Sequence, residues 1–312
     1  ASCCFHFFNC QSDKRHSVLE SYNCYRNDEL FVFHRLVFPP LTLTRKNLYG
    51  QTFKPTSKQP ISNFFTTLTV EFIEWFPYYQ EIREQFGYST ERDQEAAKVL
   101  SYMTRRKALD LKVLRKKIHG KKVMVIGAGV NLEASISYIK KNRNCTKIVA
   151  NGAVQAVLEH RIKPDIVVTD LDGNQLFLKK ADKLGAVMVV HAHGDNIPVM
   201  NKIVPKLRHV IGSTQVMPLN NVYNFGGFTD GDRSVFLAEE LGASQIILVG
   251  MDLGNEIGKY SIDTVRDSEL KKAKMKVAKK LLAMLAGRTR SELFDTSIKP
   301  IRGFAYLEAA SS

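Results

Sequence analysis

Residues 164–174 read Pro-Asp-Ile-Val-Val-Thr-Asp-Leu-Asp-Gly-Asn, and the chain's clearest chemistry is concentrated there. An apolar β-branched run, Ile166-Val167-Val168, ends in two carboxylates, Asp170 and Asp172. Residues two apart on a strand point to the same side. Two like charges delivered by a buried strand repel one another unless a cation neutralises them. Hard oxygen ligands suit Mg²⁺, which usually arrives with substrate phosphates. This pairing predicts a metal-dependent enzyme that handles phosphate.

Other polar groups follow other apolar runs. Gly127-Ala128-Gly129-Val130-Asn131 comes after Val123–Ile126. Its glycines allow close backbone approach, and a following helix N-terminus favours an anion. Leu132 occupies the place of the third glycine of a dinucleotide fingerprint. Asn151-Gly152 follows Lys147–Ala150 and by itself reads as a helix cap. Asn174 closes the turn that holds Asp170 and Asp172.

The segment His191-Ala-His193-Gly-Asp195-Asn196 carries Asn196 where a His-x-His-x-Asp-His metal motif needs histidine. Phosphate or water contacts, or metal support by Asp195, are therefore expected in place of a zinc site. Thr229-Asp230-Gly-Asp232-Arg233-Ser234 opens a helix with two acids and an arginine able to fork onto phosphate oxygens. Asp252 follows Ile246–Val249. Six acids (170, 172, 195, 230, 232 and 252) thus collect after strands or at a helix start, more than capping explains.

The elements that must position these groups alternate. Strands are expected at Val123–Ile126, Lys147–Ala150, Ile166–Thr169, Val187–His191, His209–Ile211 and Ile246–Val249. Helices are expected at Glu133–Lys141, Val154–His160, around Ile197–Leu207, at Asp232–Leu241 and at Ser268–Leu285. Such alternation predicts an α/β domain with a mostly parallel sheet. Ligands of such sheets bind beyond the carboxyl ends of the strands, so the polar turns should converge there.

The net charge of +14 is unevenly spread. Residues 104–122 hold nine Lys and Arg against one Asp, and residues 266–290 hold nine against two acids. These basic stretches lack interleaved aromatics and read as solvated helices, not as a nucleic-acid surface. No apolar run approaches the roughly 20 residues of a membrane span. Four of the five cysteines precede residue 25, and Cys145 alone lies in the expected globular part, which suggests a reducing, cytoplasmic setting.

Residues 1–66 share neither period nor texture with the rest and are expected to be a disordered or non-native extension. Phe72, Trp75, Phe76 and Tyr79 recur at helical spacing, so 67–118 is expected to be a helical subdomain. Residues 119–312 are expected to form the catalytic α/β domain.

From about Val70 to Gly303 the chain resembles the archaeal 6-hydroxymethyl-7,8-dihydropterin diphosphokinases. The likeness is carried by the Gly127–Leu132, Pro164–Asn174, His191–Asn196 and Gly227–Arg233 segments and by Leu248–Gly254. A weaker likeness is to thiamin pyrophosphokinases, where Asn151-Gly152 replaces an Asp-Gly turn. The resemblance implies a Rossmann-like sheet of the thiamin pyrophosphokinase kind. It also implies transfer of diphosphate from ATP to a reduced pterin, in tetrahydromethanopterin or folate-type synthesis, by a homodimer that binds neither nucleic acid nor membrane.

On that footing Asp170 and Asp172 would hold Mg²⁺, with Asp195 or Asp230 completing the acidic shell. Arg233 and the Gly127, Gly129 and Asn131 turn would hold phosphates. Asn151, Gly152, Asn174 and Asp252 would line the nucleotide or pterin, and Asp195, Asp232 and His193 are the candidate bases. Three alternatives stand beside this reading: a haloacid-dehalogenase-like phosphatase with Asp170 as nucleophile, a thiamin-type pyrophosphokinase, and a non-catalytic nucleotide or nucleic-acid binder.

Overall fold

Short runs rich in valine and isoleucine, each closed by a glycine or polar turn, become the strands of one large sheet. The computed structural model describes residues 75–254, 256–262 and 267–309, with the backbone alone of 9–13, 19–26 and 29–36 and of Ile262. The chain falls into two compact units, Ala1–Ile61 and Ser62–Ser312. In the first, β1 (Asn9–Asp13), β2 (Leu19–Arg26) and β3 (Glu29–Leu36) pair antiparallel in that order. The rest of 1–66, the boundary expected at 66 and Phe72 lie outside the described residues.

The second unit opens with helix α1 (75–86), followed by α2 (Thr90–Thr104) and α3 (Leu111–Ile118). The strands and helices then alternate. They begin with β4 (Lys122–Ile126), α4 (Ile136–Lys141), β5 (Thr146–Ala150), α5 (Val154–Glu159) and β6 (Ile166–Thr169). Next come α6 (Gln175–Lys183), β7 (Val187–Ala192), α7 (Ile197–Ile203), β8 (Val210–Thr214) and β9 (Val222–Tyr223). The alternation continues through α8 (Asp230–Glu240), β10 (Gln245–Val249), α9 (Lys259–Ile262) and α10 (Ser268–Ala286). Two short strands close it, β11 (Glu292–Asp295) and β12 (Ala305–Tyr306).

The nine strands of this unit form one sheet in the order β12-β11-β10-β4-β5-β6-β7-β8-β9, and all neighbours in it run parallel. The expected strands are all present. Not foreseen in this unit were α6, α9, β9, β11 and β12; the last four are only two to four residues long and have little pattern of their own. The helix expected from Glu133 begins at Ile136, because residues 130–135 make turns first.

The sheet is buried on both faces, as a parallel sheet must be. Val123 to Ile126, Ile166 to Val168 and Val187 to Val190 are almost fully enclosed. The helical segment expected as a subdomain lies directly on this sheet: α2 packs on β7 and β8. Trp75 and Tyr79 are buried, and the Trp75 indole donates to the Gln215 carbonyl at 2.9 Å. These aromatics are core, as their spacing suggested.

Candidate active site

Parallel strands bring their carboxyl ends to one edge, and a cavity of about 720 Å³ opens there. The turns after β4, β5, β6, β7 and β10, the start of α8 and one face of α10 line it.

The turn after β6 is the most constrained. Leu171 adopts φ +71°, a left-handed conformation uncommon for a residue with a side chain, and is buried. The Thr169 hydroxyl receives the Leu171 amide at 2.8 Å and donates to Asn151 Oδ1 at 2.9 Å. Asn151 Nδ2 in turn donates to the Asp172 carboxylate and reaches Asp170 Oδ1 at 3.4 Å. Gly173 is required beside it, since a Cβ there would collide with the Asn151 amide. Asn151, expected to meet ligand, lies on the cavity wall and its side chain clamps the two aspartates.

Across the cavity, the turn after β7 is held from behind. Asn196 donates to the carbonyls of Asp170 at 2.9 Å and His191 at 2.7 Å, and accepts the His193 amide at 3.1 Å. His193 Nε2 stands 3.8 Å from Asp170 Oδ2. The Gly194 amide donates to Asp93 of α2 at 2.8 Å. The same buried carboxylate takes Gln215 Nε2 at 2.6 Å and the Tyr79 hydroxyl at 2.9 Å. Asp93 escaped the sequence reading because it sits on a distant helix with nothing chemical around it. His191 is buried, with its Nε2 unpartnered.

Several expected roles are redirected. Asp195 stands exposed at the rim and pairs with Arg92 at 3.3 Å. Asp232 is fully buried in a capping box, taking the Phe228 and Thr229 amides at 2.7 Å each and the Thr229 hydroxyl at 2.5 Å. That leaves it no freedom as a base. Arg233, aimed by sequence at phosphate, is buried and gives its two terminal nitrogens to the carbonyls of Gly226 at 3.2 Å and Phe228 at 3.0 Å. Asn174 caps α6, taking the Leu176 amide at 3.1 Å, and lies outside the cavity lining.

The glycine turn after β4 also departs from a phosphate cradle. The amides of Gly127 and Gly129 are spent on the carbonyls of Val249 at 2.9 Å and Gly250 at 2.7 Å. Asn131 is tied to Asp252 through its main-chain amide at 3.0 Å and its side chain at 2.6 Å. The glycines are needed for close approach: a Cβ on Gly129 would lie 2.5 Å from Asp252 Oδ2 and 2.7 Å from the Gly250 carbonyl. Gly127, Gly129 and Gly152 all lie on the wall of the cavity.

Three of the acids that line the cavity are strongly perturbed. Burial opposes ionisation of Asp170, yet hydrogen bonds with His193 and Asp172 hold its carboxyl well below the ordinary range. Although Asp172 opens to the cavity, loss of solvation at its carboxyl and then the Asp170 charge push it up to about 7. Asp230 is raised well above its usual value by burial and by the charges of Asp170 and Asp172. The third acid that feels the charge of the pair is therefore Asp230. Such mutual repulsion is what a hard cation relieves, and carboxylate oxygens are its natural ligands. Among the described residues, no group of three or more acids, histidines or cysteines is placed to hold a metal ion by itself, so a cation at the Asp170–Asp172 turn would need ligands from a bound substrate or water.

A parallel sheet with an acidic cavity at its carboxyl edge defines the class as an α/β enzyme. The chain belongs to the family described as 6-hydroxymethylpterin diphosphokinase MptE-like, whose model matches residues 95–258. It is 44% identical over 234 residues to the 6-hydroxymethyl-7,8-dihydropterin pyrophosphokinase of Pyrococcus furiosus, covering 72% of this chain and 98% of that protein. Proteins of the same name from Methanocaldococcus jannaschii and Methanothermobacter thermautotrophicus are each 40% identical, over 70% and 68% of this chain and 97% and 93% of theirs. Among solved structures, the MAf glycosyltransferase of Magnetospirillum magneticum AMB-1 aligns with a TM-score of 0.44 at 16% identity, covering 69% of this chain and 38% of that one.

Proposed function

We propose that this protein transfers the diphosphoryl group of ATP to the hydroxymethyl oxygen of 6-hydroxymethyl-7,8-dihydropterin. The observation that carries the reading is that Asp170, Asp172 and Asp230 all line the cavity at the sheet's carboxyl edge, in a chain 44% identical over 98% of the length of a pyrophosphokinase of that name. The acceptor oxygen attacks the β-phosphorus, and the bond from that phosphorus to the oxygen bridging the α-phosphate breaks. AMP leaves with the bridging oxygen, and the hydroxyl proton passes to a base.

The protein's part is positioning and charge compensation. Asp170 and Asp172, with Asp230, would hold Mg²⁺, which supplies neutralisation of phosphate charge when bound. Asn151 fixes the geometry of the aspartate pair, and Asn196 fixes the turn that carries His193. With Asp232 locked in its cap and Asp195 paired to Arg92, His193 is the base this reading favours.

The pathway is that of a reduced-pterin cofactor, in the cytoplasm, with the enzyme a homodimer. No helix among the described residues is long and apolar enough to cross a membrane. The test is incubation with Mg²⁺, ATP and the reduced hydroxymethylpterin. AMP and the pterin diphosphate are expected in equal amounts; ADP or free phosphate in their place overturns the reaction type.

A further inference from the structure

The apolar stripe of α10 runs through Met275, Ala278, Leu281, Leu282 and Leu285, all buried where the helix packs on α8. Followed back one turn at helical spacing, the same stripe reaches Lys274 and Lys271. There it no longer meets the core: Leu270, Lys271 and Lys274 line the cavity. Two lysines thus occupy positions of the inward face, while Lys276 and Lys279 of the same helix are exposed and outside the lining.

Lys271 acts electrostatically on both Asp172 and Asp230. Lys274 Nζ lies 5.8 Å from the ring centre of Tyr88 and 5.9 Å from that of Phe228, two rings of the cavity wall. Neither lysine has a carboxylate within ion-pair distance among the described residues. Arg233, meanwhile, has both terminal nitrogens bound to main-chain carbonyls. The cavity therefore holds two ammonium groups without anionic partners, set against the acids that would carry the cation.

We infer that Lys271 and Lys274 form the seat for the β- and γ-phosphates of the nucleotide. This rests on the diphosphokinase reading and adds the groups that receive the transferred moiety. An ammonium is a compact charge with three donors, suited to non-bridging phosphate oxygens. A pair of them beside a cation-carrying acidic turn offsets the outer phosphates, which ATP has and AMP lacks.

The test compares binding of α,β-methylene-ATP with Mg²⁺ against binding of AMP, by calorimetry. Lys271→Met and Lys274→Met should each weaken the analogue by about tenfold and leave AMP within about twofold. Lys276→Met and Lys279→Met, which remove the same charge from the outer face, should change neither. Lys271→Arg and Lys274→Arg should keep most of the analogue affinity, and Lys271→Gln and Lys274→Gln, which remove the charge but stay polar, decide the question by the same comparison if either Met variant fails to fold by circular dichroism. Unchanged analogue affinity in the inward variants, equal loss of AMP, or equal loss in the outward controls overturns the inference. Product analysis of the unaltered protein separates the two claims: ADP in place of AMP would sink the reaction type, while the lysine seat would still be decided by the binding comparison.

Discussion

The main-chain amide of Gly194 donates to the carboxylate of Asp93, so a helix 101 residues earlier in the chain sets the turn that carries His193. A Cβ on Gly194 would lie 2.6 Å from Arg92 Cβ, which is why the turn can sit so close to α2. Asp93→Ala should strand three donors, those of Gly194, Gln215 and Tyr79. The expected cost is roughly 2–4 kcal/mol, read as a lowered urea midpoint. Turnover should fall beyond what the unfolded fraction explains, because His193 loses its support. Unaltered stability would show that the network is not needed.

Asp170→Asn and Asp172→Asn each remove a charge that the reaction needs and leave the hydrogen-bonding shape nearly intact. The kcat should fall by about 10²–10³-fold, with the circular dichroism spectrum unchanged. Full activity in either variant would exclude the metal assignment.

Without divalent cations, pH should act on stability through Asp172. Its folded carboxyl is pushed up to about 7 from an ordinary value of 3.8, so in that interval the folded state holds a proton that the unfolded state has released. Stability from this group is therefore lost as pH rises toward 7 and is level above it. Because Asp172 is exposed to the cavity, solvent screening tempers the size of the effect. In chelator, melting temperature should decline between pH 5.5 and 7 more in the parent than in Asp172→Asn, and Mg²⁺ should flatten the parent's decline. Identical slopes in the two proteins would refute the coupling.

Gly129→Ala tests the close approach of two loops. The new methyl would meet Asp252 Oδ2 and the Gly250 carbonyl. A loss of about 1–3 kcal/mol is expected, together with weaker nucleotide binding as the turn is pushed toward the cavity. A variant as stable as the parent would show that the 250–252 loop yields freely.

Asn174→Ala should behave as the loss of a helix cap and nothing more. About 1 kcal/mol of stability should go, with affinity for the nucleotide analogue unchanged. A selective loss of affinity would return Asn174 to the site.

Much of this protein was legible in one dimension. The β-branched runs, their regular alternation with helices and the polar turns after them determined a parallel α/β sheet with its chemistry at the carboxyl edge, because strand and helix periods are local properties. The Asp170–Asp172 pair was visible for the same reason: two carboxylates beside an apolar strand are anomalous wherever they occur. Only the tertiary structure decided what each polar group does, since a donor's role depends on which partner it meets. Arg233 and Asp232 carry the residue types of a phosphate clamp and a base, yet burial beside main-chain carbonyls and amides assigns both to the helix start. Asp93 and the inward lysines of α10 carry no local signal. They become part of the cavity because packing α2 on the sheet and α10 on α8 turns one particular face of each toward it.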